Sequence, residues 1–461
     1  MTAAAEAPAG STPLARLRRI AGPAGRTTAL LWMLIVFLVL EYARPPLIVK
    51  LKLQMLISLA LPLLCISMIK DKRWSWTLTC QLGIIGISAL GVFYAYNYFA
   101  AYFTTRILFT TIALSISMAW LLARIDFFRK AMWAWTLIMA YVGFYGIQMG
   151  GFGPGGNIGD ENEMALACVT AIPMAFFGVV HARGAQRWVY GGIGLVLVVA
   201  IVISKSRGGF VGLALTVAYI ILISKHRIRA LAGLAIAALV FVIAVPKTYL
   251  MEIVSIKQEA TGEIEDGTAD ARFFLWTAAF NMWKAHPILG VGAGNSIYHT
   301  GRYQPDWEAP MYSERDWSGT AIHSGVFEAL SELGSVGVFF YTAMFVHHFS
   351  TLRRVRRTAR RAKGLSRRLR AEFEMYSGAL AGGIIGYLGS GVFLSVAYHP
   401  YAFYFSALGV ALSWSLDVEL QKIAAKASTG AVRVEAREPE ATRANPPPSR
   451  SLGSELLTRR T

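Results

Sequence analysis

Cysteine is nearly absent from this sequence: Cys65, Cys80 and Cys168 are the three in 461 residues. Each falls inside an apolar run, so they cannot build an extracytoplasmic disulfide framework, and no Cys/His spacing for zinc appears. Charge is scarce as well. Charged residues make up 16% of the chain against 55% hydrophobic ones, with a mean hydropathy of +0.47. That balance excludes an ordinary soluble protein of this length. The polar start, residues 1–26, leads into an apolar run without a small-residue cleavage site, so the first run is expected to remain as a signal anchor. No internal repeat is evident, which argues against the pseudo-symmetric build common among transporters.

What the chain does have is apolar runs of about twenty residues, the length that crosses a hydrocarbon core about 30 Å thick. They lie at 28–42, 52–69, 76–96, 103–122, 131–148, 162–180, 188–204, 208–224, 229–248, 322–349, 375–396 and 401–417. The expected fold is all-α: a polytopic transmembrane helix bundle of about 12 spans with one large periplasmic loop containing an amphipathic helix. The formal net charge of +18 suggests nucleic acid at first sight. Its distribution says otherwise. With the amino terminus inside, 33 of the 45 lysines and arginines fall on the cytoplasmic side, the bias that retains basic segments there. The run RRVRRTARRAKGLSRRLR (353–370) is read as a loop and a topology anchor on anionic lipid, so the expected partners include membrane lipids and no nucleic acid. Residues 1–27 and 418–461 read as disordered cytoplasmic extensions flanking a transmembrane domain at 28–417, with 249–321 as the large periplasmic loop. Gly378, Gly382, Gly386 and Ser390 repeat every fourth residue and predict a smooth stripe for close helix packing.

Candidate chemistry gathers on the side opposite the basic segments. In SKSRGGFVGL (204–213), Arg207 sits between two apolar runs, where ionisable residues are costly and usually functional. Gly208 and Gly209 would let backbone approach a ligand, and a helix beginning there points its positive end outward, which suits a phosphate. A charged turn that merely ends two spans explains the same residues. Within the large loop, ARFFLWTAAFNMWKAH is amphipathic, Asp270 is a good N-cap, and the helix is expected to lie in the membrane interface or over the bundle. Arg272 in its first turn opposes the helix dipole and hints at an anionic partner, for which a loop carboxylate would suffice. The following GVGAGN reads as a flexible turn. His323 opens the tenth run, where the helix dipole would disfavour imidazolium and leave a neutral imidazole able to act as a general base. Asp160, Glu161, Asn162 and Glu163 stand at the start of the sixth run. Capping explains the acids, and orienting an acceptor or an arginine is a further role open to the patch.

SRGGFVGL, RFFLWTAAFNMWKAHPILGVGAGN and HSGVFEALSELGSVGVFFY, in this order around one large loop, resemble the O-antigen ligase/polymerase superfamily. GGFGPGGNIGDENEMALA and EYARPP (41–46) look more narrowly like the O-glycosylation ligases associated with exosortase systems. The resemblance covers roughly residues 29–417. Ser324 follows His323 where many ligases have asparagine, and Glu161 stands where the narrower group has asparagine. The split of basic residues predicts both termini cytoplasmic, and the resemblance implies a bacterial inner-membrane enzyme with a periplasmic active site. It would transfer a glycan from an undecaprenyl-pyrophosphate carrier to an acceptor hydroxyl on a lipid core sugar, a protein or a polysaccharide, with no cofactor. Arg207 and Arg272 would then stabilise the phosphates, and His323 would deprotonate the acceptor. Gly208, Gly209, Asp160, Glu161 and Asn162 would contribute to substrate binding. A polymerase of the same superfamily, or a transporter or flippase for lipid-linked glycan, fits the same sequence features.

Overall fold

A computed structural model describes residues 23–45, 51–223, 228, 267–306 and 317–435. Among these the chain is all-helical and has no strand. We number the helices α1 (Pro23–Leu38, continued by a π turn at Val39–Ala43), α2 (Leu53–Met68), α3 (Trp76–Gly91), α4 (Tyr98–Leu121), α5 (Ile125–Gln148) and α6 (Glu161–His181). There follow α7 (Ala185–Ile203), α8 (Arg207–Ile223), α9 (Gly267–Ala285), α10 (Gly325–Arg361), α11 (Arg367–Gly391) and α12 (Pro400–Glu435). A helix overlies each predicted apolar run except 229–248, which lies outside the described residues. Polar caps start several of them: Asn97 accepts from the Ala100 amide at 3.0 Å and Ser366 from the Leu369 amide at 3.2 Å.

Among the described residues four helices, α4, α6, α7 and α10, are long and apolar enough to cross a membrane, and four shorter apolar helices accompany them. Large apolar side chains face outward, with Phe93, Leu222 and Leu63 at 88%, 77% and 67% exposure. Water would not tolerate so much apolar surface on one bundle, whereas lipid does. This is a membrane protein.

The bundle is built around α11. Its small-residue stripe lets α6 and α8 approach closely: Gly378 packs on Phe177, Gly382 on Pro173, and Gly386 on Thr216 and Val169. A side chain on Gly386 would begin 2.6 Å from both the Thr216 hydroxyl and a Val169 methyl. Gly386→Leu should therefore cost at least about 1–3 kcal/mol of stability. Gly86, beside which a Cβ meets nothing within 4 Å, supplies the control. Thermal melting of the two variants in detergent should show a lowered midpoint for Gly386→Leu and an unchanged one for Gly86→Leu.

Side-chain contacts sort the connections into two ends. At one end Asn157 bonds Glu41, Asn295 accepts from the Asn97 amide, and His323 meets Ser395. At the other, Arg73 faces Asp417, Arg129 pairs with Glu372, Arg360 pairs with Glu374 and Ser415 reaches the Leu122 carbonyl. Helices crossing in alternation would produce this sorting.

Three expectations need correction. The basic run 353–370 is mostly helix, because α10 continues to Arg361 and α11 begins at Arg367. Arg370 bonds the Ala359 and Ala362 carbonyls and so closes the end of α10. Residues 418–435 are helical where disorder is expected from residue 418. The segment DVELQKIAA is rich in strong helix formers, Lys422 pairs with Glu419 at 2.6 Å, and Ile423 packs against the Gly364 turn. Finally, GVGAGN is no flexible turn. The helix α10 breaks at Gly334 (φ 63°, ψ −166°), and the chain from Pro287 to Gly292 fills the break. Val291 and Gly292 donate to the Ser331 and Glu332 carbonyls at 2.9 and 3.0 Å, while Ser335 and Val336 donate to Pro287 and Ile288 at 2.9 and 3.3 Å. Backbone freed by a broken helix within a bundle must be re-paired, and here the loop does so.

Candidate functional site

The turn before α8 is tightly braced. Ser206 is buried, and its hydroxyl donates to Asn162 Oδ1 at 2.7 Å while accepting from the Gly209 amide at 3.1 Å. Ser206 thus caps α8 and ties it to α6, placing half-buried Arg207 as the first helical residue. A cation at the positive end of a helix is disfavoured by the dipole, so the position favours anions nearby. Gly208 and Gly209 do not supply open backbone, contrary to expectation. A Cβ on Gly208 would stand in ordinary contact with the Ser390 carbonyl and Phe393, at 3.4 and 3.5 Å, and one on Gly209 would crowd Ala165 at 2.7 Å. Both glycines are buried, and the missing side chain of Gly209 makes room for α6.

Asp160 caps α6 by accepting from the Glu163 amide at 2.6 Å, and Glu163 answers by accepting from the Gly159 amide at 2.9 Å. This reciprocal capping box accounts for both acids. Glu161 lies 3.5 Å from the Asn162 side-chain amide and helps orient Asn162 toward Ser206.

Arg272 and Trp276, one turn apart on α9, both pack on Phe393, the guanidinium 5.6 Å and the indole 6.0 Å from its ring centre. Trp276 also stacks on Phe327 of α10 at 5.4 Å, so α9 folds back over the bundle. His323 lies just before α10 in a left-handed conformation (φ 53°), and its amide donates to Ser395 Oγ at 3.0 Å. The short segment Phe393–Ser395 therefore joins the α8 turn, Arg272 and His323.

His323 keeps an exposed face. The protein around it, and then the Arg272 charge, hold its pKa below the ordinary histidine value, while Asp160 pulls the other way. Surroundings and Arg272 thus act in the direction that the sequence assigns to the dipole of α10. Arg272 and Asp160 both lie within electrostatic reach of the same imidazole. An exposed neutral imidazole beside two arginine-bearing elements can accept a proton next to a bound anion.

Two further carboxylates escape the sequence reading. Glu332 is buried, and its oxygens accept from the Gly294 amide at 2.6 Å, the Ser296 amide and hydroxyl at 3.0 and 2.7 Å, and the Tyr398 hydroxyl at 2.8 Å. The glycine-rich loop thus cradles an internal carboxylate. Glu328, one turn earlier, accepts from the Ala397 amide at 2.9 Å. Together they bind the start of α10 to the large loop and to residues 397–398. The available signal is a pair of acids four apart in the otherwise apolar first half of α10.

Fold and site define a helical membrane protein with a basic, histidine-bearing cluster at one end of its bundle. The family described as O-Antigen ligase matches residues 192–342, about a third of the chain, a stretch that carries Arg207, Arg272 and His323. No curated protein matches the chain. The family match supports the superfamily resemblance and a membrane glycan ligase- or polymerase-type function, that is, a glycosyl-transferring enzyme with a lipid-linked glycan and an acceptor as partners.

Proposed function

We propose that this protein is a ligase of the bacterial inner membrane. It transfers a glycan from an undecaprenyl-pyrophosphate carrier to an acceptor hydroxyl on the periplasmic side. The observation that carries this reading is the gathering of the Arg207 turn, Arg272 and His323 around Phe393–Ser395, inside the stretch matched to O-Antigen ligase. His323 takes the acceptor proton as the acceptor oxygen attacks the anomeric carbon. The bond from that carbon to the phosphate oxygen breaks, and the electron pair leaves on the diphosphate. Direct attack inverts the anomeric centre. Arg207 and Arg272 stabilise the growing negative charge, which is worth most where water is excluded. An apolar cleft of about 190 Å³ between α10 and α11 borders Gly325, Ala329, Tyr387 and Val396, close to His323, and suits a short part of the isoprenoid tail of such a donor.

The break in α10 at Gly334 is a feature that transporters share. Here protein fills the break and an internal carboxylate occupies the loop, which favours the enzyme. A purified-protein assay decides between them: glycan should pass from the lipid carrier to an acceptor, and movement across a vesicle membrane without transfer would overturn the reading. Comparing lipopolysaccharide, secreted polysaccharide and glycoprotein in a strain lacking the gene would separate ligase from polymerase.

The proposed topology has about 12 spans, both termini cytoplasmic and residues 249–321 periplasmic, resting on the asymmetry of basic residues. Reporter fusions at residues 290 and 360 should report opposite compartments. The same compartment for both would refute it.

A further inference from the structure

The EYAR turn at residues 41–44 takes no part in the proposed transfer, yet it is built with care. We propose that Arg44 binds a phosphate borne by a lipid, at the same end of the bundle as Arg207.

Arg44 closes the π turn at the end of α1, its amide donating to the Val39 carbonyl at 3.2 Å, with a left-handed backbone (φ 43°, ψ 59°). Glycine or asparagine takes that position at least cost, so an arginine there is held against a local preference. Its side chain lies across the Gly155–Gly156 turn. A Cβ on Gly156 would collide with the guanidinium, and one on Gly155 would stand 3.7 Å from Nε.

The turn beneath is fixed from both sides. Asn157 donates to Glu41 Oε1 at 2.8 Å, and its carbonyl meets His399 Nε2 at 2.7 Å. Glu41, buried three residues before Arg44, is the obvious partner for the cation but is already engaged, because Gln54 donates to its other oxygen. Arg44 acts on Glu41 through space, and among the described residues its guanidinium forms no ion pair or hydrogen bond. The result is a half-buried planar donor array, seated on a rigid turn, with its fork unspent.

A guanidinium fork matches two oxygens of a phosphate. At the end of an apolar helix of a membrane protein, the phosphates within reach are those carried by lipids. Two sources share this chemistry: the diphosphate of a polyprenyl carrier and the headgroup of an anionic phospholipid. The loop under Arg44 also runs into the proposed active site, since Gly151 packs on Ser204 and Asp160 acts on His323. The carrier as the source rests on the proposed function, whereas phosphate binding by Arg44 does not.

The test uses the full chain in phosphatidylcholine nanodiscs, with undecaprenyl diphosphate and phosphatidylglycerol as probes and binding read by native mass spectrometry. Arg44→Gln should weaken one probe about tenfold or more, as expected on losing a charge-assisted pair. Arg44→Lys should recover only part of it. Loss confined to undecaprenyl diphosphate makes the carrier the ligand, and loss confined to phosphatidylglycerol makes it a headgroup. Unchanged binding of both by Arg44→Gln overturns the inference. Arg207→Ala run alongside keeps the two readings apart. If it alone weakens undecaprenyl diphosphate and Arg44→Gln leaves phosphatidylglycerol unchanged too, Arg44 is dismissed and the proposed function stands. If only Arg44→Gln does so, Arg207 loses its role and the Arg44 site stands. A protein that loses its monodisperse elution profile is replaced by Gly156→Ala, whose added methyl group should displace the guanidinium and reproduce the loss.

Discussion

Arg207→Lys is expected to lower glycan transfer by about 100-fold or more while protein in the membrane stays at its normal level. The charge is kept, so any rule based on charge alone would predict a mild effect. Position argues for more. Arg207 is the first residue of α8, and that start is fixed by Ser206, which caps the helix and holds Asn162 of α6. A side chain anchored on so rigid a turn delivers its donors to one place. A lysine ammonium presents a single point in place of a planar fork and cannot hold two phosphate oxygens in fixed geometry. Removing one preorganised donor from a developing oxyanion commonly costs about 100- to 1,000-fold in rate. Arg272→Ala should behave alike, since Arg272 is seated over Phe393 beside the same turn. Initial rates with a purified lipid-linked donor measure both. Near-normal transfer by Arg207→Ala would return the residue to the role of a charged turn between two helices.

The helices were readable because each apolar run is local and long, and the α11 stripe was readable because its spacing is strictly four. Other features were hidden for the opposite reason. Glu332 finds its partners at Gly294, Ser296 and Tyr398, and nothing near SELG announces them. Phe393 looks like one more apolar residue at the end of a run, yet it carries Arg272 and abuts Gly208. The break at Gly334 hides among small residues suited to packing, and only the inserted loop reveals it. Gly208 and Gly209 misled because a bare backbone serves a ligand or a neighbouring helix equally well, and sequence does not say which. The tail misled through averaging: the prolines at 446–448 coloured a segment whose first part is a good helix former.

His323→Asn should remove about 100- to 10,000-fold of the transfer rate, the range a positioned general base supplies, while donor binding stays within about twofold. Asparagine is the better substitution because, unlike alanine, it adopts the left-handed backbone of this position readily. His323→Ala should give the same loss and guards against any residual chemistry of the amide. The reasoning turns on protonation state. Packing around His323 and the charge of Arg272 hold its pKa below the ordinary histidine value, and Asp160 partly offsets them. The neutral imidazole is the active form, so the rate should fall as pH drops through that lowered value and stay level through neutrality. Asp160→Asn sharpens the test. Asparagine still caps α6, so the fold is kept, but the negative charge that raises the His323 pKa is gone. The acid limb of the rate profile should then move to lower pH. A limb that stays put would mean that His323 is not the titrating base, and so would His323→Asn losing donor binding in step with rate. If His323 does act on the acceptor, the donor should bind these variants as it binds the native protein, and only the step that consumes the acceptor proton should fail.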